Sequence, residues 1–275
     1  MYYFYLILFA AGLLGGFLAG LLGIGGGIIF IVVIPYALTE LGIPSSQMAP
    51  FIVANSIFST FFASLSGSVF LIRKKMFRWK EVFQVGMFAT ISSFLLLHFF
   101  VNTSHYSKRF FSFFVIIILI LILLKMLFMQ RIKKKYFPEM NSESTNYIGY
   151  IIVGITAGII ASLTGLGGGV IVVSMLTVFM NFPIQQSNSI SQGVICINSF
   201  AMTLFNLAGS PNQFHSYQIG YIIFPIALVI SCGVLLTSTL GIRAAHKLPA
   251  KTIQYLFASF ILLLLLKKSW DLYVG

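Results

Sequence analysis

Hydrophobic residues in this chain come in long runs separated by short polar or basic stretches. A helix that spans hydrocarbon needs about 20 apolar residues, fewer if it is broken or re-entrant. On that measure the runs predict ten helical segments, at 3–22, 26–39, 49–72, 81–101, 110–129, 147–164, 168–181, 187–209, 218–240 and 251–268. The second and seventh are short, and each follows a glycine cluster. Each therefore forms, with the segment before it, either a pair of short spans or a re-entrant hairpin. Irregular backbone at membrane depth survives only where it is buried in protein or lines a cavity.

Composition agrees with this pattern. Of 275 residues, 59% are hydrophobic and 8% charged, against about 25% charged in soluble domains. Mean hydropathy is +1.00, and no Asp, Glu, Lys or Arg occurs from Ser144 to Ile242. The expected class is an all-α polytopic membrane protein. The opening MYYFYLILFA has no basic leader and no small-residue cleavage site after it, so it does not read as a removable signal. Cys196 and Cys232 both lie in apolar stretches and supply neither a disulfide framework nor a metal cluster.

The net charge of +12 sits at the membrane edges rather than on a nucleic-acid footprint. Arg73, Lys74, Lys75, Arg78 and Lys80 follow the third segment. Lys125, Arg131, Lys133, Lys134 and Lys135 surround the centre, and Arg243, Lys247 and Lys251 precede the last segment. In an alternating count these 13 of 17 basic residues share one face, against Lys108, Arg109, Lys267 and Lys268 on the other. The positive-inside rule places the first face in the cytoplasm and both termini outside. The polar stretch 130–146 is too short for a domain and reads as a cytoplasmic linker between membrane halves at 1–129 and 147–275.

Those halves repeat one another. Residues 19–33, AGLLGIGGGIIFIVV, match 161–175, ASLTGLGGGVIVVSM, at an offset of 142. The offset pairs Gly23, Gly25, Gly26 and Gly27 with Gly165, Gly167, Gly168 and Gly169, Gly12 with Gly154, Gly16 with Gly158, and Gly67 with Gly209. Five segments per half is an odd number, so the second copy enters from the opposite side. That is an inverted-topology repeat, common in secondary transporters.

The doubled G-x-G-G-G motif, Gly23–Gly27 and Gly165–Gly169, resembles the sulfite exporter TauE/SafE family of bacterial membrane permeases. The resemblance covers both halves, although Ser162 stands where the first repeat has Gly20. It implies transport of sulfite, sulfonates or related small organosulfur anions across the cell inner membrane.

The residues themselves suggest how. Glycine clusters between apolar runs read as helix breaks. The segment after each begins with free N–H groups and a positive dipole end, a ready anion site without a buried cation. The four-spaced Gly12/Gly16 and Gly154/Gly158 read instead as close helix packing. Amides and hydroxyls near the breaks are candidate further donors: Asn55 and Ser56 in the third segment, Asn188, Ser189, Asn198 and Ser199 in the eighth, and Thr164 beside Gly165. Ordinary interhelical hydrogen bonding is the competing role for these side chains.

All five carboxylates, Glu40, Glu81, Glu139, Glu143 and Asp271, fall at segment edges or in loops. None sits at mid-membrane, where proton- or sodium-coupled carriers often place one, which favours an electrogenic exporter or uniporter. The expected partners are a small anion and the bilayer; no cofactor, metal or nucleic acid is implied. An intramembrane hydrolase is disfavoured because Ser64-Leu65-Ser66-Gly67 has no buried histidine to activate a nucleophile. A non-transporting scaffold is the remaining alternative, and it has no need of unwound backbone in hydrocarbon.

Overall fold

The computed structural model describes residues 2–45, 47–102, 147–180, 182–211 and 217–247, with Tyr106, residues 109–117 and isolated positions at 120, 124, 262, 265 and 266. The expected linker at 130–146 lies outside the described residues, as does nearly all of the tenth segment.

The helices are α1 (Tyr2–Leu22), α2 (Gly27–Glu40), α3 (Met48–Arg73), α4 (Trp79–Leu96, continued by a π-helical turn over Leu97–Val101), α5 (109–117), α6 (Tyr147–Thr164), α7 (Gly169–Val178), α8 (Ile184–Leu207) and α9 (Phe224–Lys247). Six of them are long and apolar enough to cross a membrane, and α2 is a shorter apolar helix. This is a multi-pass, all-α membrane protein in its described residues, apart from one small hairpin.

That hairpin is a departure from the sequence reading. The apolar run expected to be helical from residue 218 begins instead as two antiparallel strands, β1 (Gln218–Ile219) and β2 (Ile222–Ile223). Tyr217 and Gly220 have φ of 63° and 57°, a left-handed backbone that a helix cannot accommodate. α9 therefore starts at Phe224. Apolar content alone does not separate YQIGYIIF as strand from helix.

The packing obeys one exchange. α1 lies along α9 as α6 lies along α4, α3 meets α9 as α8 meets α4, and α2 meets α3 as α7 meets α8. α3 and α8 pack against each other at the centre. Each half thus completes its bundle with a helix of the other.

The two long seams are built on small residues, because in lipid helices gain by close backbone approach rather than by hiding from water. A Cβ on Gly16 would stand 2.6 Å from Thr237 Oγ1 and 2.7 Å from Val234 Cα, and one on Gly233 would stand 2.6 Å from the Phe9 carbonyl. Thr237 donates across this seam to the Leu13 carbonyl at 2.7 Å. In the second seam a Cβ on Gly154 would lie 2.5 Å from the Val85 carbonyl, and Ser93 donates to the Gly158 carbonyl at 3.0 Å. Gly12 and Gly158 are equally tight against Ile230 and Ala89.

Polarity is distributed inside-out. Asn55, Ser56, Ser59, Thr60 and Ser64 of α3, and Ser191, Gln192, Asn198 and Ser199 of α8, are buried. Leu6, Leu14, Phe83, Ile91, Leu236 and Leu240 on the outer helices are exposed. Apolar side chains on the outside suit a lipid solvent. The central pair of helices carries these buried polar groups.

Gly16→Leu and Gly158→Leu should each destabilise the protein by about 2–3 kcal/mol through overpacking. Leu14→Ala, on the exposed face of α1, should change little. Thermal melting of detergent-solubilised protein checks this; equal melting temperatures would refute the glycine seams.

Candidate functional site

Both glycine clusters interrupt helix in the same way. α1 ends at Leu22 and α2 starts at Gly27; α6 ends at Thr164 and α7 starts at Gly169. The last helical bond runs from Gly23 N–H to the Ala19 carbonyl at 2.9 Å, and from Gly165 N–H to the Ala161 carbonyl at 2.8 Å. Gly23, Gly25 and Gly26 have φ of 69°, 82° and 72°; Gly165, Gly167 and Gly168 have 72°, 77° and 76°. Three left-handed residues out of four cost an L side chain heavily at each position, which is why glycine occupies them.

The clusters face one another. A Cβ on Gly27 would stand 2.7 Å from the Gly165 carbonyl, and one on Gly169 would stand 2.9 Å from the Gly23 carbonyl. Those two carbonyls, stranded where helix stops, are satisfied crosswise. Ser56 donates to Gly165 at 2.8 Å from α3, and Ser191 donates to Gly23 at 2.8 Å from α8. Gln192 reaches the Ala19 carbonyl at 2.9 Å through Nε2. Every residue from Gly23 to Ile28 and from Gly165 to Val170 is buried.

The donors at the break are another matter. Among the described residues, the N–H groups of Gly25, Gly26 and Gly27, and of Gly167, Gly168 and Gly169, reach no acceptor. They sit at the positive ends of α2 and α7, whose N-caps are Gly26 and Gly168. Free N–H groups at a helix start are the kind of donor that attracts anions, and among the described residues no charged side chain lies against these clusters.

The family described as sulfite exporter TauE/SafE matches residues 8–267. The chain belongs to the TauE/SafE family. A probable membrane transporter protein of Methanocaldococcus jannaschii is 26% identical over 259 residues, covering 93% of this chain and 91% of the relative. A probable membrane transporter protein of Haemophilus influenzae is 27% identical over 266 residues, covering 95% and 97%. No solved structure matches.

In this TauE/SafE chain the other candidate donors separate into groups. Asn55 is fully engaged: Nδ2 donates to the Phe51 and Tyr221 carbonyls at 2.8 and 3.1 Å, and Oδ1 accepts from Ile223 N–H at 2.9 Å. It pins the β-hairpin to α3. Ser189 ties α8 to the α3–α4 turn through the Met76 carbonyl at 2.6 Å. Thr164 donates to the Ile160 carbonyl at 2.6 Å and accepts from Leu166 N–H at 3.3 Å, capping the end of α6. Ser199 returns its hydroxyl to the Ile195 carbonyl at 2.5 Å, and Asn198 keeps a buried Oδ1 without a partner. Asn188 lies beside Gly23, its Oδ1 3.1 Å from where a Cβ would be and also unpartnered.

Ser56 has Ser191, not Ser199, as its counterpart across the breaks. Ser191 and Ile195 were missed, and so was Thr60. Each lies three, four or seven residues along a helix from a flagged position, Asn188 or Ser56, so helical spacing was the available signal. Near the start of α8 a cavity of about 280 Å³ opens between Lys75, Met76, Phe77 and Arg78 on one side and Gln185 and Gln186 on the other.

Ser56→Ala and Ser191→Ala should each cost about 1 kcal/mol by leaving a buried carbonyl unpaired, and by closely similar amounts. Asn55→Ala should cost more, since three hydrogen bonds go together. Melting temperatures of the three variants check the ranking; a silent Ser191→Ala beside a damaging Ser56→Ala would contradict the crosswise arrangement.

Proposed function

We propose that this chain is a non-enzymatic transporter, an exporter or uniporter of small sulfur-containing anions such as sulfite or sulfonates. The anion binds at mid-membrane between the paired starts of α2 and α7. The observation that carries this reading is the double set of unpaired N–H groups at Gly25–Gly27 and Gly167–Gly169, converging in one buried place.

The chain divides into a membrane repeat over 1–129, a cytoplasmic linker over 130–146 and a second, inverted repeat over 147–275, broken at the two GxGGG clusters. The reciprocal packing of the helices supports this division, as do the matched left-handed glycines. The protein lies in the cell inner membrane with its main basic loops in the cytoplasm and both termini outside. The cavity beside Lys75 and Arg78 then faces the cytoplasm, one helical turn from Asn188, and serves as the entrance.

The clusters are packed in contact, so the anion enters only when the two halves part. Transport alternates between openings to either side of this fixed point, as inverted repeats permit. Glu40 stands at the end of α2, and Glu81 pairs with Arg78 at 2.7 Å; neither is placed to carry a coupling proton or sodium ion. An inside-negative potential drives an anion outward by about 2.3 kcal/mol per charge per 100 mV, so export needs no coupling ion.

Purified protein in liposomes should pass sulfite or a sulfonate under an imposed potential, with no requirement for a pH or sodium gradient. Gly25→Ala and Gly167→Ala should each cut flux at least tenfold, because both introduce a side chain at positive φ, 2.8 Å from Thr60 Cγ2. Folding of the variants is checked by size exclusion. Strict dependence on an ion gradient would contradict the uniport mechanism, and wild-type flux in both variants would contradict the site. Flux of other small organic anions would widen the substrate class; no flux of any anion from folded protein would favour a scaffold.

A further inference from the structure

We propose that the cavity between the α3–α4 turn and the start of α8 is a second oxyanion site, which takes an anion before it reaches the centre. The inference rests on the reading of this cavity as the entrance and names the groups that make it one.

One residue in its wall is out of place for folding alone. At the end of α3, Lys75 N–H bonds the Ile72 carbonyl and Met76 N–H bonds the Leu71 carbonyl, both at 2.9 Å. α2 ends in the same turn, with Gly42 N–H on Thr39 at 2.9 Å and Ile43 N–H on Leu38 at 3.0 Å. This turn needs one left-handed residue, and glycine is the usual choice. α2 has Gly42 there at φ 75°, whereas α3 has Lys75 at φ 56°. A side chain is strained in that backbone, so a lysine there is kept for what its ammonium does.

That ammonium belongs to the wall of a cavity of about 280 Å³, shared with Met76, Phe77, Arg78, Gln185 and Gln186. Among the described residues Lys75 has no acidic partner. Arg78 donates from Nη1 to Glu81 at 2.7 Å and lies over the Phe182 ring at 5.7 Å. A guanidinium keeps donors to spare after one such ion pair. The opposite wall is the positive end of α8. Ser187 N–H bonds the Pro183 carbonyl at 2.9 Å, and among the described residues the N–H groups of Gln185 and Gln186 reach no acceptor. The two walls are tied together: Ser189 donates to the Met76 carbonyl at 2.6 Å, and Phe77 Cζ is 2.7 Å from where a Cβ on Gly193 would be. Two cations, two amides and a helix start therefore border one fixed space. With water taking about 30 Å³ per molecule, the space holds an oxyanion and part of its hydration shell. The matching chemistry is a small oxyanion, either free sulfite or sulfonate or the phosphate of an acidic lipid.

The test is sulfite titration of purified protein in maltoside micelles, which carry no phosphate. Trp270→Phe leaves Trp79 as the fluorescent reporter, its ring 4.6 Å from that of Phe77 in the cavity wall. The Trp79 emission should change along a saturable curve. Lys75→Gly should weaken sulfite binding about tenfold yet melt no lower, because glycine fits the left-handed position better. Gln185→Glu should also weaken binding without a lower melting temperature, since a carboxylate suits a helix start and repels an anion. No saturable response, or undiminished affinity in either variant, would overturn the site. Added phosphatidylglycerol identifies the occupant in a membrane: competitive displacement of sulfite assigns the cavity to a lipid phosphate, and no displacement assigns it to the free anion. Saturation at Trp79 without flux in liposomes would keep this site and sink the transport reading. Flux without a Trp79 response would sink this site alone.

Discussion

In hydrocarbon a peptide group has no water to bond, so every N–H and C=O must find a partner inside the protein or remain at a cost of several kcal/mol. The two glycine clusters are where this chain departs from that requirement. Helix stops at Leu22 and Thr164 and resumes at Gly27 and Gly169, leaving stranded carbonyls and stranded N–H groups at each break. The rest of the architecture follows from covering those breaks. α3 and α8 stand at the centre and supply Ser56 and Ser191 to the stranded carbonyls. The outer helices close around them through glycine seams. The stranded carbonyls are answered and the N–H groups are not, and that imbalance is what the proposed anion site rests on.

Symmetry in the backbone coexists with asymmetry in the side chains. The two clusters repeat in conformation almost angle for angle, yet the helices that serve them differ. The first half of α8 carries Asn188, Ser191 and Gln192, and its Asn188 and Gln192 oxygens are buried without partners. On α3, counting from Ser56 as the counterpart of Ser191, the matching positions are Val53, Ser56 and Ile57, with Val53 and Ile57 fully buried. The matched glycine backbones are thus flanked by polar side chains on the α8 side and by apolar ones on the α3 side.

Much of this was legible in the sequence, for identifiable reasons. Long apolar runs set the helices, and α2 and α6 fall within a residue of the expected limits because glycine clusters and polar loops bound them sharply. The matched conformation of the two clusters was legible because a left-handed backbone tolerates little but glycine, so both keep the same spelling. Side-chain partners were less legible. α7 has 10 residues where α2 has 14, so the register between halves slips after the clusters. Ser56 and Ser191 are therefore separated by 135 rather than 142. The match of Gly67 with Gly209 is a casualty of this slip, since one lies within α3 and the other beyond the end of α8. The hairpin before α9 depends on backbone angles at Tyr217 and Gly220, which apolar content does not encode.

The central claim is that the N–H groups of both clusters hold the same anion. Amide nitrogen shifts of Gly25 and Gly167, recorded by solid-state NMR on labelled protein in lipid during sulfite titration, test it most directly. The account predicts that both resonances move together along one saturable curve. Movement confined to the Lys75–Arg78 turn, with Gly25 and Gly167 unchanged at saturating sulfite, would contradict it.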